Sequence, residues 1–203
     1  MPLFCVLEEA GGIWYTVPWK GGFYMKGLWL EHYCYGDLQP LKNIMRLPRE
    51  EAFSMAEKLS DTHPETTAFY RFKDFENYYP LRLETDKMLY ERFCALGGKP
   101  REKHPLSFVL GRSDYLHHWF GDGNIIRIPL TWIEPEIVSF TLGDSMSTLD
   151  RQGSLTMLTF PMLEAEMACH PEGAAGWLRD MQAEYHYIEA QVWGDVSLPE
   201  EGL

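Results

Sequence analysis

Short apolar segments, bounded by glycine, proline or other turn residues, recur along the chain and limit the folds that it can adopt. In its second half they are PLSFVLG (105–111), NIIRIPL (124–130), EIVSFTLG (136–143) and SLTMLTF (154–160). Each has the length and the content of β-branched or aromatic residues that suit one strand. Longer stretches with helical spacing lie between such segments at irregular intervals. This order predicts an α+β fold with a mainly antiparallel or mixed sheet and three to five helices, rather than a doubly wound parallel sheet.

Three stretches are predicted to be helices. PREEAFSMAEKLSDT (48–62) starts with a proline suited to a first turn and places Phe53, Ala56 and Leu59 on one face. In PLRLETDKMLYERFCALGG (80–98) an apolar stripe precedes a Gly-Gly stop, and the stripe consists of Leu81, Met88, Leu89, Phe93 and Leu96. The third stretch is GAAGWLRDMQAEYHYI (173–188). By contrast, TTAFYRF (66–72) is β-branched and aromatic, which favours a strand.

The length and the charge restrict the classes of protein further. A chain of 203 residues predicts one domain over residues 1–203, in which the N-terminal residues 1–47, rich in glycine and aromatics, could be an elaboration. The net charge is −12, and the 18 lysines and arginines form no cluster. Nucleic acids and anionic membrane surfaces are therefore unfavourable partners.

The cysteines and the hydropathy pattern indicate where the protein works. No stretch approaches the roughly 18 apolar residues of a membrane span, and the N-terminus lacks the basic start of a secretory signal. The four cysteines are scattered and form no CxxC pair. We therefore expect no membrane association, a cytoplasmic location and four free thiols.

The stretch SDYLHHWFGDG (113–123) has two interpretations, a metal site or the end of a helix. Ser113 suits an N-cap and Gly121 suits a helix stop. His117 and His118 are adjacent, so on a helix their side chains diverge by about 100° and are badly placed to share one ion. The stretch predicts a short helix and its end, and we expect no metal there.

A second motif, GDSMS (143–147), comes close to the nucleophile elbow G-x-S-x-G. Ser147 stands where the second glycine belongs. Ser145 is therefore a weak candidate for a nucleophile. The other interpretation is a turn in which Asp144 and Ser145 bond to the local backbone.

The closing segment YIEAQVWGDVSL (187–198) carries the main functional hypothesis. Its alternation predicts a strand with Ile188, Ala190 and Val192 facing inward and Glu189 facing solvent. The segment also resembles the last strand of ADP-ribosyltransferase-like proteins, where a glutamate lies in an E-x-Q or Q-x-E context, although the Ser-Thr-Ser strand motif of that family is absent. The resemblance implies an enzyme that uses NAD as substrate, with Glu189 in catalysis and Gln191 orienting the acceptor.

The same resemblance implies that earlier strands supply side chains that contact NAD. Arg71 in AFYRF is the candidate for the pyrophosphate. His104 and Ser107 in HPLSFVL are the candidates on a middle strand.

The alternative is a non-catalytic protein that binds a small ligand or a protein partner. Its binding surface would be the aromatic N-terminal stretch GGIWYTVPWKGGFYMKGLWLEHYCYG (11–36). A transferase needs Arg71 and Glu189 at one site, whereas a binding protein needs only an exposed aromatic patch.

Overall fold

The computed structural model describes the backbone of residues 4–8, 14–18, 27–36, 38–64, 67–146 and 155–196. It describes the side chains of the same residues except 4–8, 14–18, 67 and 68. Most of the aromatic N-terminal stretch therefore lies outside the described side chains.

The described chain contains eight strands and five complete α-helices. The strands are β1 (Phe4–Glu8), β2 (Trp14–Pro18), β3 (Trp29–Cys34), β4 (Leu106–Leu110), β5 (Asn124–Pro129), β6 (Val138–Leu142), β7 (Met157–Thr159) and β8 (Ile188–Val192). The helices are α1 (Arg49–Thr62), α2 (Phe75–Ala95), α3 (Asp114–Trp119), α4 (Phe160–Cys169) and α5 (Gly173–Tyr185).

Six of the strands form one antiparallel sheet in the order β5-β3-β4-β8-β6-β7. Strands β1 and β2 pair separately as an antiparallel ribbon. The predicted α+β fold is confirmed. Strand β3 belongs to the main sheet, so some of the N-terminal residues 1–47 contribute to the central architecture.

One face of the main sheet is apolar and carries the largest core. On β8 this face presents Ile188, Ala190 and Val192, all fully buried, as the alternation predicts. Helices α4 and α5 cover it with Leu163, Met167 and Trp177, among others. This apolar layer holds the sheet rigid beneath the side chains of the opposite face.

The other face of the sheet is polar. In the strand register Glu189 lies opposite Val109 and Thr141. Two residues along, Gln191 lies opposite Ser107 and Ser139. Helix α2 packs on this face, where its Leu89 and Phe93 form a small apolar cluster with Leu155, Met157 and Trp193. A long helix thus encloses polar strand residues that would otherwise meet solvent.

This packing corrects the predicted stripe of α2. Leu89 and Phe93 are buried, but Leu81, Met88 and Leu96 are each about 40% exposed, at 39%, 40% and 41%. The buried face includes instead Thr85 and Asp86. The stripe was wrong because α2 lies against polar strand residues, and polar side chains can be buried where hydrogen bonds and ion pairs satisfy them.

The strand predicted over residues 66–72 was also wrong. Thr67–Asp74 is a 3₁₀ helix that leads into α2. Phe69, Phe72 and Phe75 are spaced by three residues, so one turn of a 3₁₀ helix places them in a row. Neighbouring rings in this row lie 5.4 and 5.3 Å apart. Their mutual packing decides the conformation against the β propensity of the segment.

The helix predicted after Ser113 is confirmed as α3. The Ser113 Oγ accepts a hydrogen bond from the Leu116 N–H at 3.2 Å, and Gly121 follows with a φ of +66°. His118 contacts Asp122 at 3.2 Å rather than Asp114. Within the described residues, no group of three histidine, cysteine or acidic side chains is arranged to hold a metal ion.

The prediction of four free thiols was wrong. Cys34 and Cys94 are free, but Cys169, at the end of α4, is disulfide-bonded. Cys5, the fourth cysteine of the chain, lies outside the described side chains.

The disulfide gives a first testable prediction. Thiol titration of the denatured, unreduced protein should count fewer than four of the four cysteines in the chain. The same sample after reduction should count all four and serves as the control. Four thiols before reduction would show that Cys169 is unpaired in the purified protein.

Candidate functional site

Glu189 lies on β8, near the centre of the sheet, and is only 7% exposed. Its carboxylate Oε2 accepts a hydrogen bond from the Ser145 N–H at 3.0 Å. The expectation that Glu189 faces solvent was wrong. The alternation was correct, but the face on which Glu189 lies is covered by α2.

The surroundings of Glu189 oppose its ionisation. Burial raises the pKa of the Glu189 carboxyl, and the neighbouring Asp144 carboxylate raises it further. The Arg82 guanidinium and Ser145 act in the opposite direction without cancelling the rise. A carboxyl group held in this way can give or take a proton closer to neutral pH than a solvated glutamate.

Arg82 reaches the site from α2, and its side chain is 11% exposed. Burial acts to lower the pKa of Arg82, but the combined effect of Asp86, Tyr78, Glu189 and Asp144 outweighs burial, so that the pKa is raised. Arg82 is therefore a permanent cation between buried acids.

Tyr187 connects these acids to Arg71. Burial raises the pKa of the Tyr187 hydroxyl, and the charges of Asp144 and Glu189 raise it further, whereas Arg71 acts to lower it. Three ionisable groups, Asp144, Glu189 and Arg71, therefore act electrostatically on one half-buried tyrosine. Of the sequence candidates, Arg71 and Glu189 are the two that the structure brings to one site, although the segment carrying Arg71 is not the predicted strand.

An aromatic surface lies beside these charges. Tyr70, Trp119, Tyr115 and Tyr187 form a continuous row of rings, here called the aromatic rim, with successive centroids 5.9, 5.9 and 6.3 Å apart. Arg71 donates from Nε to the Tyr70 hydroxyl at 2.7 Å. The Arg71 guanidinium also lies over the Tyr70 ring, 5.5 Å from its centroid. A planar ligand with a negative group meets both stacking surfaces and a cation here.

Gln191 is fully buried and bonded within the sheet. Its amide oxygen accepts from the Ser139 Oγ, and its amide nitrogen donates to the Thr141 Oγ1, both at 2.8 Å. The Trp193 indole N–H donates in turn to Ser139 at 2.8 Å. These hydrogen bonds give Gln191 a structural role within the sheet. Its role in orienting the acceptor stays a prediction.

His104 and Ser107 are not positioned like Arg71. His104 precedes β4 and its Nδ1 lies 2.7 Å from the Asp86 Oδ2. Ser107 is exposed on the polar face, and its carbonyl accepts a hydrogen bond from the His32 Nδ1 at 2.9 Å. That tautomer is assigned because the His32 Nε2 accepts from the Leu41 N–H. Contact of either candidate with NAD stays a prediction.

The sequence did not point to Arg82, Asp144 or Tyr187 as site residues. Asp144 appeared only as a turn former, and that turn exists, since its Oδ1 accepts from the Met146 N–H at 3.0 Å. The Arg82–Asp86 pair offered a signal. Opposite charges four residues apart stabilise any exposed helix, and only the sheet packing makes this pair a buried one.

Ser145 itself is fully buried, and its hydroxyl has no hydrogen-bond partner within the described residues of the chain. It follows Gly143, whose φ is +84°. Its backbone N–H makes the defined hydrogen bond with Glu189, and both this N–H and the side chain of Ser145 act to lower the pKa of Glu189.

No family model, curated protein or solved structure matches this chain. In the described ranges, none of the helices is both long enough and apolar enough to cross a membrane.

The raised pKa of Glu189 predicts how stability depends on pH. A carboxyl whose pKa is higher in the folded than in the unfolded state favours folding below the unfolded value, about 4.3, and loses that contribution as the pH rises through the folded value. Glutamine cannot ionise. The free energy of unfolding of Glu189→Gln, relative to the unchanged protein, should therefore rise between acid and neutral pH.

Urea unfolding at a series of pH values measures this difference. Glu57→Gln, at an exposed position of α1, is the matched control and should show no such trend. A difference that stays flat or falls with pH would mean that the pKa of Glu189 is not raised.

Proposed function

We propose that this protein is an NAD-consuming enzyme of the ADP-ribosyltransferase type, with Glu189 as its catalytic carboxylate. The observation that carries the proposal is that Arg71, Asp144 and Glu189 all act electrostatically on Tyr187, which is part of the aromatic rim. An arginine suits the pyrophosphate of NAD, a carboxylate suits the positive charge that develops at the ribose, and flat apolar surfaces suit the two rings.

The chemistry suits the buried carboxylates. Cleavage of the bond between the ribose C1′ and the nicotinamide nitrogen leaves the electron pair on nicotinamide and builds positive charge at C1′, which then bonds to a nucleophilic atom of the acceptor or of water as that atom loses its proton. An ionised carboxylate nearby stabilises that charge. Arg82 and the Ser145 N–H favour the ionised form of Glu189, so they support this role against the burial that opposes it.

Arg71 is the residue best suited to the pyrophosphate. Arginine matches phosphate oxygens with two parallel hydrogen bonds. Among the described residues Arg71 forms no ion pair with a carboxylate; its defined partners are Tyr70 and Tyr78. Its charge is therefore available to an anion, and the exposed rings of Tyr70 and Tyr115 in the aromatic rim offer a surface to a base or to the nicotinamide ring.

The test is incubation with NAD. We expect heat of binding in calorimetry and release of nicotinamide. Arg71→Gln should weaken the affinity for NAD about tenfold, the scale of one charge-assisted contact. Arg179→Gln, at an exposed arginine of α5, should leave the affinity unchanged. Absence of binding at millimolar NAD would overturn the proposal.

A groove elsewhere on the surface favours the binding-protein alternative. It has a volume of about 500 Å³ and is lined by Gly27, Leu28, Trp29, Arg127, Pro129 and Thr131. Trp29 is at the described end of the aromatic N-terminal stretch, and Arg127 lies over its ring, 5.0 Å from the centroid. Ligand binding that is lost in Trp29→Ala but retained in Arg71→Gln would favour this alternative. A cytoplasmic location belongs to either proposal.

A further inference from the structure

We propose that His104 and Asp86 are positioning residues, which decide how the charge of Arg82 is divided between two buried carboxylates, Asp86 and Glu189. The inference rests on the proposed function only in taking Glu189 as the reacting group. Its test measures Glu189 directly and needs no NAD.

The contacts of Asp86 are the first step of the argument. Asp86 is fully buried on α2. Its Oδ2 lies 2.7 Å from the His104 Nδ1, and its Oδ1 lies 2.8 Å from the Arg82 Nε. The first contact is a hydrogen bond. The second is an ion pair without hydrogen-bond alignment, because Oδ1 has no donor among the described residues.

The second step is that Arg82 has acidic neighbours beyond Asp86. Glu189 on β8 and Asp144 in the turn after β6 both act on its guanidinium, as does the Tyr78 hydroxyl on α2. An ion pair that is close but poorly aligned leaves N–H groups of the arginine directed to other partners. The Arg82 charge thus acts on acids at three places in the chain, which are α2, β8 and the turn after β6.

The third step concerns His104. Its Nδ1 donates to Asp86, so it supplies part of the compensation that the buried Asp86 carboxylate requires. With that donor present, Asp86 depends less on Arg82, and more of the arginine's charge serves Glu189. The loss of His104 and the loss of the Asp86 charge should therefore have opposite effects on Glu189.

The experiment follows the ¹³C resonance of the Glu189 carboxyl by NMR during a pH titration, with Glu189→Gln identifying the signal. In Asp86→Asn the Arg82 charge loses the acid paired with it at 2.8 Å, so the pKa of Glu189 should fall by about one unit. In His104→Phe, which keeps a ring but removes the donor, the pKa of Glu189 should rise. A general loosening of the fold would not shift the pKa of Glu189 in opposite directions in the two variants.

A reciprocal measurement leaves Asp86 intact. In Glu189→Gln, Arg82 loses a competitor for its charge and interacts more strongly with Asp86, so the ¹⁵N resonance of the Arg82 Nε, which lies 2.8 Å from the Asp86 Oδ1, should shift relative to the unchanged protein. The matched controls are His118→Phe and Asp122→Asn, which alter a second His–Asp pair on and after α3 that is exposed. Neither control should change the pKa of Glu189.

The inference would be overturned if the pKa of Glu189 shifted in the same direction in Asp86→Asn and His104→Phe, or if it shifted in neither variant. If Asp86→Asn does not fold, the sign of the shift in the pKa of Glu189 in His104→Phe and the shift of the Arg82 Nε resonance in Glu189→Gln still decide. If the predicted NMR shifts are seen but NAD is not turned over, the proposed function is wrong and the inference about Arg82 still holds.

Discussion

Replacing Glu189 by glutamine should lower the rate of nicotinamide release from NAD by about two orders of magnitude, the scale for losing one well-placed electrostatic group. Glutamine keeps the shape of the side chain and can still accept the hydrogen bond from the Ser145 N–H. It removes the negative charge that would stabilise the positive centre at C1′. The measurement is single-turnover nicotinamide release at saturating NAD.

The affinity for NAD separates this effect from damage to the site. Arg71 and the aromatic rim are unchanged in Glu189→Gln, so calorimetry should give a dissociation constant close to that of the unchanged protein. Glu57→Gln controls for the loss of one negative charge at a distance. If the unchanged protein turns over NAD and Glu189→Gln is equally active, another group must be the catalytic one.

Replacing Arg82 by methionine should destabilise the fold by about 3–5 kcal/mol, the scale for removing one partner of a buried ion pair. Methionine fills much of the space but leaves Asp86, Asp144 and Glu189 without their shared cation. Urea unfolding at neutral pH measures the loss. The loss should shrink in acid, because the protonated carboxyls no longer need that cation.

Two further variants test the cause. Arg82→Met combined with Glu189→Gln should recover part of the lost stability, since one of the uncompensated charges is gone. Arg179→Met removes an exposed arginine on α5 and should change stability little. A loss in Arg82→Met that is equal in acid and at neutral pH would indicate lost packing rather than lost charge compensation.

Local patterns in the sequence were sufficient for most of the elements. The alternation of 187–198 predicted β8, the Ser113 cap predicted α3, and Pro48 marked the start of α1. These succeeded because cap chemistry and two-residue periodicity act over a few neighbouring positions. The segment 66–72 failed because a row of phenylalanines packs with one another and outweighs intrinsic β propensity.

The exposure of residues followed the tertiary structure instead. Alternation separates Glu189 from Ala190 in any strand, but it does not say whether a helix covers the polar side. Asp86 was assigned no role from the sequence, because an acidic side chain on a helix faces water unless another element covers that side of the helix. Both residues are buried because α2 crosses the polar face of the sheet.

The sequence by itself determined the fold class and the order of most elements, because residue type and short-range periodicity carry that information. Arg71 and Glu189 became candidates through the resemblance of the closing segment to ADP-ribosyltransferase-like proteins. Only the tertiary structure decided that these two residues share a site, and that Asp144, Tyr187 and Arg82 belong to it. The charge interactions among these residues join the turn after β6, the residue before β8 and helix α2, which are distant along the chain. Charge interactions of that kind depend on distance in space and on burial, and neither can be read from spacing along the sequence.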